Sequence, residues 1–152
     1  MSHESIVRAA ERIGFPPGLV TYIRCLYTGG VTQIRVGREL GSVIRPLRGV
    51  RQGDLLSPLL FCAVMDLVLA NLDKWLGLEL ARGERVNHLA FADDVALLST
   101  APEAMTRLLA ELEGGLDEVG LQPNPASYRS RSNSFLGHRS SRNNASSSCA
   151  SM

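Results

Sequence analysis

Two adjacent carboxylates interrupt an otherwise apolar stretch, Leu89-Ala90-Phe91-Ala92-Asp93-Asp94-Val95-Ala96-Leu97-Leu98, and they constrain this chain more than any other feature. An ionised pair cannot be buried in the middle of a strand without partners. A turn between two short strands lets Asp93 and Asp94 remain in water while their flanks enter a core. Such neighbours also stand close enough to share a hard divalent cation, which prefers oxygen ligands. Alone the pair is weak evidence for a metal, because aspartate is favoured in turns for local hydrogen-bonding reasons.

The remaining pattern interleaves helices and strands. Ser2 or Ser5 caps a first helix with Ile6, Ala9, Ala10 and Ile13 on one face, and Gly14 stops it. Pro16-Pro17 restart the chain into a second helix through Leu19, Ile23, Leu26 and Tyr27, which ends at Gly29-Gly30. Val31 to Val36 and Ser42 to Leu47 alternate apolar and polar residues and predict a β-hairpin. The glycine-punctuated loop 49–54 precedes Ser57-Pro58, read as an N-cap with proline at the first helical position, and a buried helix is expected from about Pro58 to Leu72. Strands are expected at Leu78–Ala81, Val86–Phe91 and Val95–Leu98, and a last helix from Pro102 to a stop at Gly120. Helices mixed with mainly antiparallel strands make the fold class α+β.

At 152 residues the chain is long enough for one domain with a core, and 45% hydrophobic and 20% charged residues are ordinary globular values. From Ala126 the composition changes. Ten of the last 27 residues are serine, four are arginine and none is acidic, so residues 126–152 are expected to be a disordered Ser/Arg-rich tail beside a structured region 1–125. Residues 1–125 carry 12 basic and 15 acidic side chains, yet Arg35, Arg38, Arg45, Arg48 and Arg51 cluster with only Glu39 against them, which reads either as a phosphate-attracting strip or as an ordinary solvated charged face. Cys25, Cys62 and Cys149 offer neither an even disulfide framework nor zinc spacing and suit a reducing compartment. No signal peptide is visible, and the apolar run Leu55 to Met65 is too short to span a bilayer, so an intracellular location, nuclear or cytoplasmic, is expected.

A second element changes the weight of the aspartate pair: Gly49-Val50-Arg51-Gln52-Gly53-Asp54 leading into Ser57-Pro58-Leu59-Leu60-Phe61. With strings GVRQGDLLSPLLF and FADDVALLS, together with LVTYIRCLYTGG and GLQPN, the chain resembles the reverse transcriptases of non-LTR retrotransposons over roughly residues 2 to 125. The resemblance implies an RNA-directed DNA polymerase lineage and a partial polymerase palm with part of the fingers. It also implies nucleotidyl transfer by a two-metal mechanism with magnesium, an RNA template, a DNA primer and deoxynucleoside triphosphates. On it, Asp93 is the surer metal ligand and Asp94 the second, and Phe91 and Ala92 place the turn against the primer end. Arg51, Gln52 and Gly53 serve nucleotide or template: arginine for phosphate, glutamine as donor and acceptor, glycine for close backbone approach.

Several departures from the family pattern stand out. Leu55 occupies the usual proline position, and no lysine follows Pro125 where the family has one that acts as a general acid near pyrophosphate. The family's third carboxylate, from an F-D-x-V-S-H-like stretch, is not found before Met1-Ser2-His3-Glu4-Ser5. Little or no polymerase activity is therefore expected of the isolated chain, and the compositional break at Ala126 suggests a frameshift or pseudogene end. The alternative is a non-catalytic retrotransposon remnant that binds nucleic acid through the Arg35 to Arg51 strip or has no activity. An unrelated metal-dependent nuclease would leave the loop unexplained. Asp66 reads as a helix-face residue, and His3, His88 and His138 show no ligand spacing.

Overall fold

The computed structural model describes residues 1–133 and 145–151. Their contacts divide the chain into two compact units, residues 1–65 and 66–152.

The first unit opens with α1 (His3–Arg12) and α2 (Pro17–Thr28). The Ser2 hydroxyl accepts the Ser5 amide at 3.1 Å, the expected N-cap. At the other end Gly14 takes φ 85°, its amide reaches the carbonyl of Glu11 and that of Phe15 reaches Ala10. Those two bonds satisfy the last carbonyls of α1, and the left-handed residue they need costs glycine nothing. The two helices pack through Ile6, Ala9 and Ala10 against Val20, Ile23 and Tyr27, all buried. The exposed Arg24–Glu11 pair at 3.3 Å joins their surfaces and contributes little in water.

A hairpin follows as β1 (Thr32–Val36) and β2 (Glu39–Ile44), antiparallel and joined at Gly37-Arg38, its second strand lying three residues before the expected Ser42–Leu47 because the turn takes two residues rather than five. Every residue of both strands is exposed. Next, α3 (Ser57–Leu69), whose residues 66–69 already belong to the second unit, starts a residue earlier and ends three earlier than its composition suggests, because Asn71 and Leu72 close in tighter turns onto Val68 and Leu69. Its solvent side is confined to a narrow row that includes Leu59, Cys62 and Asp66.

In the second unit, β3 (Leu78–Glu79) and β4 (Arg85–Val86) pair antiparallel across the turn at 81–84. The expected strand from Val86 to Phe91 is broken at Asn87, so β5 covers only His88–Phe91. The Asn87 side chain is buried and donates to the Leu72 carbonyl at 3.3 Å, while the backbone carbonyl of Asn87 accepts the Leu98 amide at 2.9 Å. A side-chain bond out of the sheet thus interrupts the strand without orphaning the backbone.

The partner of β5 is β6 (Asp94–Ser99), opposed as His88–Leu97, Leu89–Ala96, Ala90–Val95 and Phe91–Asp94. Val95, Leu97 and Ser99 are buried, and α4 (Pro102–Glu118) packs on β6 with Leu108, Leu112 and Leu116 inside. Gly120, φ 72°, ends α4 as expected, with Leu121 bonding back to Leu116 and Gly120 to Asp117. Of the tail read as disordered, residues 134–144 and 152 lie outside the described residues. The flanking segments are described as β7 (Arg129–Asn133) and β8 (Ala145–Ser151), giving the strand order β5-β6-β8-β7. Helices with small antiparallel sheets make the α+β class expected from the sequence. No helix among the described residues is long and apolar enough to cross a membrane.

Candidate functional site

The aspartate pair lies where its flanking runs require. Phe91 and Asp94 are the last opposed residues of the β5–β6 hairpin, and only Ala92 and Asp93 stand between them. A two-residue connection must twist to match its strands, which demands positive φ at a central residue and ordinarily selects glycine there. Ala92 takes φ 53°, so a residue with a Cβ has been placed in left-handed backbone. Strain of this kind persists where the surrounding structure over-determines it, and it concentrates at functional sites. The result is a tight tip with Asp93 and Asp94 on consecutive residues, both exposed, beside a Phe91 that is 83% exposed.

Strand alternation divides the neighbouring residues between two faces. Asp94, Ala96 and Leu98 share one face of β6 with Phe91 and Leu89 of β5, while Val95, Leu97 and Ser99 face α4. Leu89 is exposed too, so the carboxylates adjoin an apolar platform open to solvent. His88 lies on the opposite face, and its Nδ1 is 2.8 Å from Asn87 Oδ1. Burial lowers the His88 pKa below its usual 6.5, with nearby Asp66 opposing the shift and Lys74 reinforcing it. Asp66 remains an exposed helix-face residue, as expected. Among the described residues no group of three or more His, Cys, Asp and Glu side chains is set to hold a metal.

The loop 49–56 belongs to the first unit and is closed on itself. Gly49 (φ 87°) donates to the Met1 carbonyl at 2.8 Å, and Gly53 (φ 84°) forms the reversal that exposes Arg51, Gln52 and Gly53 together. The Asp54 carboxylate accepts the Leu56 amide at 3.0 Å, fixing the next turn by a local side-chain bond. Leu55, where the resembled family has proline, is 95% exposed and makes no packing demand.

Ser57 differs from its predicted role as a helix cap. Its hydroxyl donates backward to the Arg51 carbonyl at 2.6 Å and lies 3.4 Å from the Tyr27 hydroxyl. Both side chains are buried, so the loop is tied to α2 through an interior hydrogen-bond chain. By its spacing in the sequence Tyr27 falls on an apolar helix face. Its hydroxyl was the missed signal, since a buried tyrosine needs a polar partner. A cavity of about 360 Å³ adjoins this loop, lined by His3, Tyr27, Thr32, Arg48, Arg51 and Gln52 among others. The rings of His3 and Tyr27 sit 5.3 Å apart, tilted by 57°. Burial and the nearby N-terminal ammonium hold the His3 pKa below 6.5, favouring a neutral imidazole at the cavity wall.

These two constructions, a strained hairpin tip bearing paired aspartates and a closed loop presenting arginine, glutamine and glycine, occur in a chain whose residues 1–139 match the family model "Reverse transcriptase (RNA-dependent DNA polymerase)". The chain belongs to that family. It is 42% identical over 125 residues to the Retrovirus-related Pol polyprotein from type-1 retrotransposable element R2 of Nasonia vitripennis. It is 36% identical over 124 residues to that from type-2 retrotransposable element R2DM of Drosophila melanogaster. Each alignment covers 82% of this chain and 12% of the relative, so the chain spans about an eighth of those polyproteins. A third relative, the type-1 R2 polyprotein of Popillia japonica, is 45% identical over 102 residues, 64% of this chain and 14% of its own length.

Proposed function

We propose that residues 1–125 form part of the palm and fingers of an RNA-directed DNA polymerase. The β5–β6 tip supplies the metal-binding carboxylates and the loop 51–53 holds nucleotide or template. The observation that carries this reading is the left-handed Ala92, which keeps Asp93 and Asp94 adjacent and exposed at the end of a rigid hairpin. Paired carboxylates in water are the donors magnesium selects, so the residues present fit the ion. Bound there, magnesium would activate the primer hydroxyl and steady the departing pyrophosphate.

The chain's own residues do the rest. Asp93 and Asp94 orient the reacting oxygens, while Phe91, on the face of Asp94, offers an apolar surface to the primer terminus beside Ala92. Arg51 attracts phosphate, Gln52 pairs with a base or sugar edge, and Gly53 admits the nucleic-acid backbone because it has no Cβ. The partners on this reading are an RNA template, a DNA primer and deoxynucleoside triphosphates. The exposed free thiols of Cys25 and Cys62 suit a reducing, intracellular setting.

The two carboxylates of the tip are fewer than a two-metal centre uses, so the isolated chain binds magnesium but extends a primer little or not at all. Calorimetric titration with magnesium tests the site: saturable binding that Asp93→Asn abolishes supports it, and equal heats from both proteins refute it. Primer extension with magnesium tests the second part, because Asp93-dependent incorporation by this chain would contradict it.

A further inference from the structure

The β1–β2 hairpin has no role in the chemistry of the tip, yet it is the most unusual surface of the first unit. It is a two-stranded sheet in which all eleven strand residues are exposed, including Ile34, Val36 at 75%, Leu40, Val43 and Ile44. Isolated hairpins of this kind are marginal in water, so a ribbon left bare on both faces calls for a partner.

Charge identifies the partner's chemistry. Between residues 35 and 51 there are five arginines and one glutamate, whereas the rest of residues 1–125 carries seven basic and fourteen acidic side chains. All five arginines are exposed, and none is held in an ion pair among the described residues. A concentrated positive strip on an otherwise acidic chain is the electrostatic footprint of a polyanion.

The register then decides which polyanion. The opposed pairs are Thr32–Ile44, Gln33–Val43, Arg35–Leu40 and Val36–Glu39, with a bulge between Gln33 and Arg35. Gln33 and Arg35 therefore share one face with Val43 and Leu40, and Ile34, Val36 and Ile44 fall on the other. Gly37, φ 63°, turns the chain so that Arg38 stands at the tip, while Arg45 and Arg48 follow the second strand. Glutamine and arginine are the side chains that pair with adenine and guanine edges, and branched apolar residues contact the thymine methyl.

A two-stranded ribbon matches the major groove of B-form DNA, about 12 Å wide, whereas the A-form major groove is too narrow to admit it. Residues 28–54 contain no aromatic side chain on which unpaired bases could stack, which disfavours a single strand. We propose that the β1–β2 ribbon docks in the major groove of duplex DNA, with Gln33 and Arg35 toward the bases and Arg38, Arg45 and Arg48 on the flanking phosphates. This goes beyond the chemistry of the β5–β6 tip and does not depend on it.

Fluorescence anisotropy on the full chain tests the proposal, using a short labelled B-form duplex, its single strand and an RNA–DNA hybrid over a salt series. The duplex should bind most tightly. The triple variant Arg35→Gln, Arg38→Gln, Arg45→Gln, checked for unchanged circular dichroism, should lose about tenfold or more in affinity and lower the salt slope by about two, one for each of the phosphate contacts of Arg38 and Arg45. The control triple Arg12→Gln, Arg82→Gln, Arg107→Gln removes the same charge elsewhere and should stay within about twofold. The proposal is overturned by absence of duplex binding, by equal or tighter binding of the strand or hybrid, or by equal losses in both triples.

Discussion

Helix α4 contains two adjacent glycines whose surroundings are opposite. A methyl group added at Gly114 meets nothing within 4 Å, whereas one at Gly115 would stand 2.8 Å from Cγ1 and 3.7 Å from Cβ of Val68. Replacing either glycine by alanine yields the same helix-propensity gain, about 1 kcal/mol, so Gly114→Ala should stabilise the chain by about that amount. At position 115 the gain meets an overpacking cost of about 1–3 kcal/mol. Val68 is buried and β-branched, with essentially one helical rotamer, so it cannot swing aside. Gly115→Ala should therefore range from neutral to about 2 kcal/mol destabilising. Shortening the neighbour by Val68→Ala removes Cγ1 and leaves an ordinary contact at Cβ, so in that background Gly115→Ala should regain nearly its full propensity. The coupling in the double-mutant cycle should be about 1–3 kcal/mol, against near zero for Gly114 with Val68. Urea unfolding followed by circular dichroism measures all four corners. Equal stabilisation by the two alanines, or additivity at 115, would refute the close approach of α4 to Val68.

Ala92→Gly should stabilise by up to about 1.6 kcal/mol, because relief of about 1–2 kcal/mol of left-handed strain offsets or exceeds the added unfolded-state entropy of about 0.4–1 kcal/mol. A lowered urea midpoint would contradict the turn geometry. Ser57→Ala deprives the Arg51 carbonyl of its donor and should cost about 1–3 kcal/mol. It should also speed amide exchange and tryptic cleavage at Arg51, and unchanged cleavage would show that the hydroxyl does not close the loop. The lowered pKa of His88 means that the unfolded chain takes up the proton first. Its contribution to stability is complete above the usual 6.5 and is lost as pH falls through the folded value. The urea midpoint should thus drop between pH 7 and 5, and His88→Gln should flatten part of the slope, whereas an unaltered slope would remove His88 as its source.

Much of the local structure was legible because it rests on neighbours in sequence. Ser2 as a cap, Gly14 and Gly120 as stops, the hairpin around Gly37 and the turn at Asp93 all follow from bonds spanning a few residues. The candidate aspartates fall at a turn on sequence pattern alone, and the family motifs mark the loop 49–54. Elements governed by distant partners are not legible in this way. The strand from Val86 broke at Asn87 because Leu72, fifteen residues back, offers a buried carbonyl. Ser57 did not cap α3 because the Arg51 carbonyl and Tyr27 hydroxyl claim its side chain.

By itself, then, the sequence determined the α+β class, the helix ends and the exposure of paired carboxylates at a hairpin tip, since propensity, periodicity and turn chemistry are local. It also carried the motifs that mark the reverse transcriptase family. Only the tertiary structure decided that the tip is strained at Ala92, that loop 51–57 hangs on Tyr27, that Gly115 but not Gly114 is a contact, and that the arginine-rich hairpin stands bare. Each of these depends on which surfaces meet in space, and residues far apart in sequence meet only after the chain has packed.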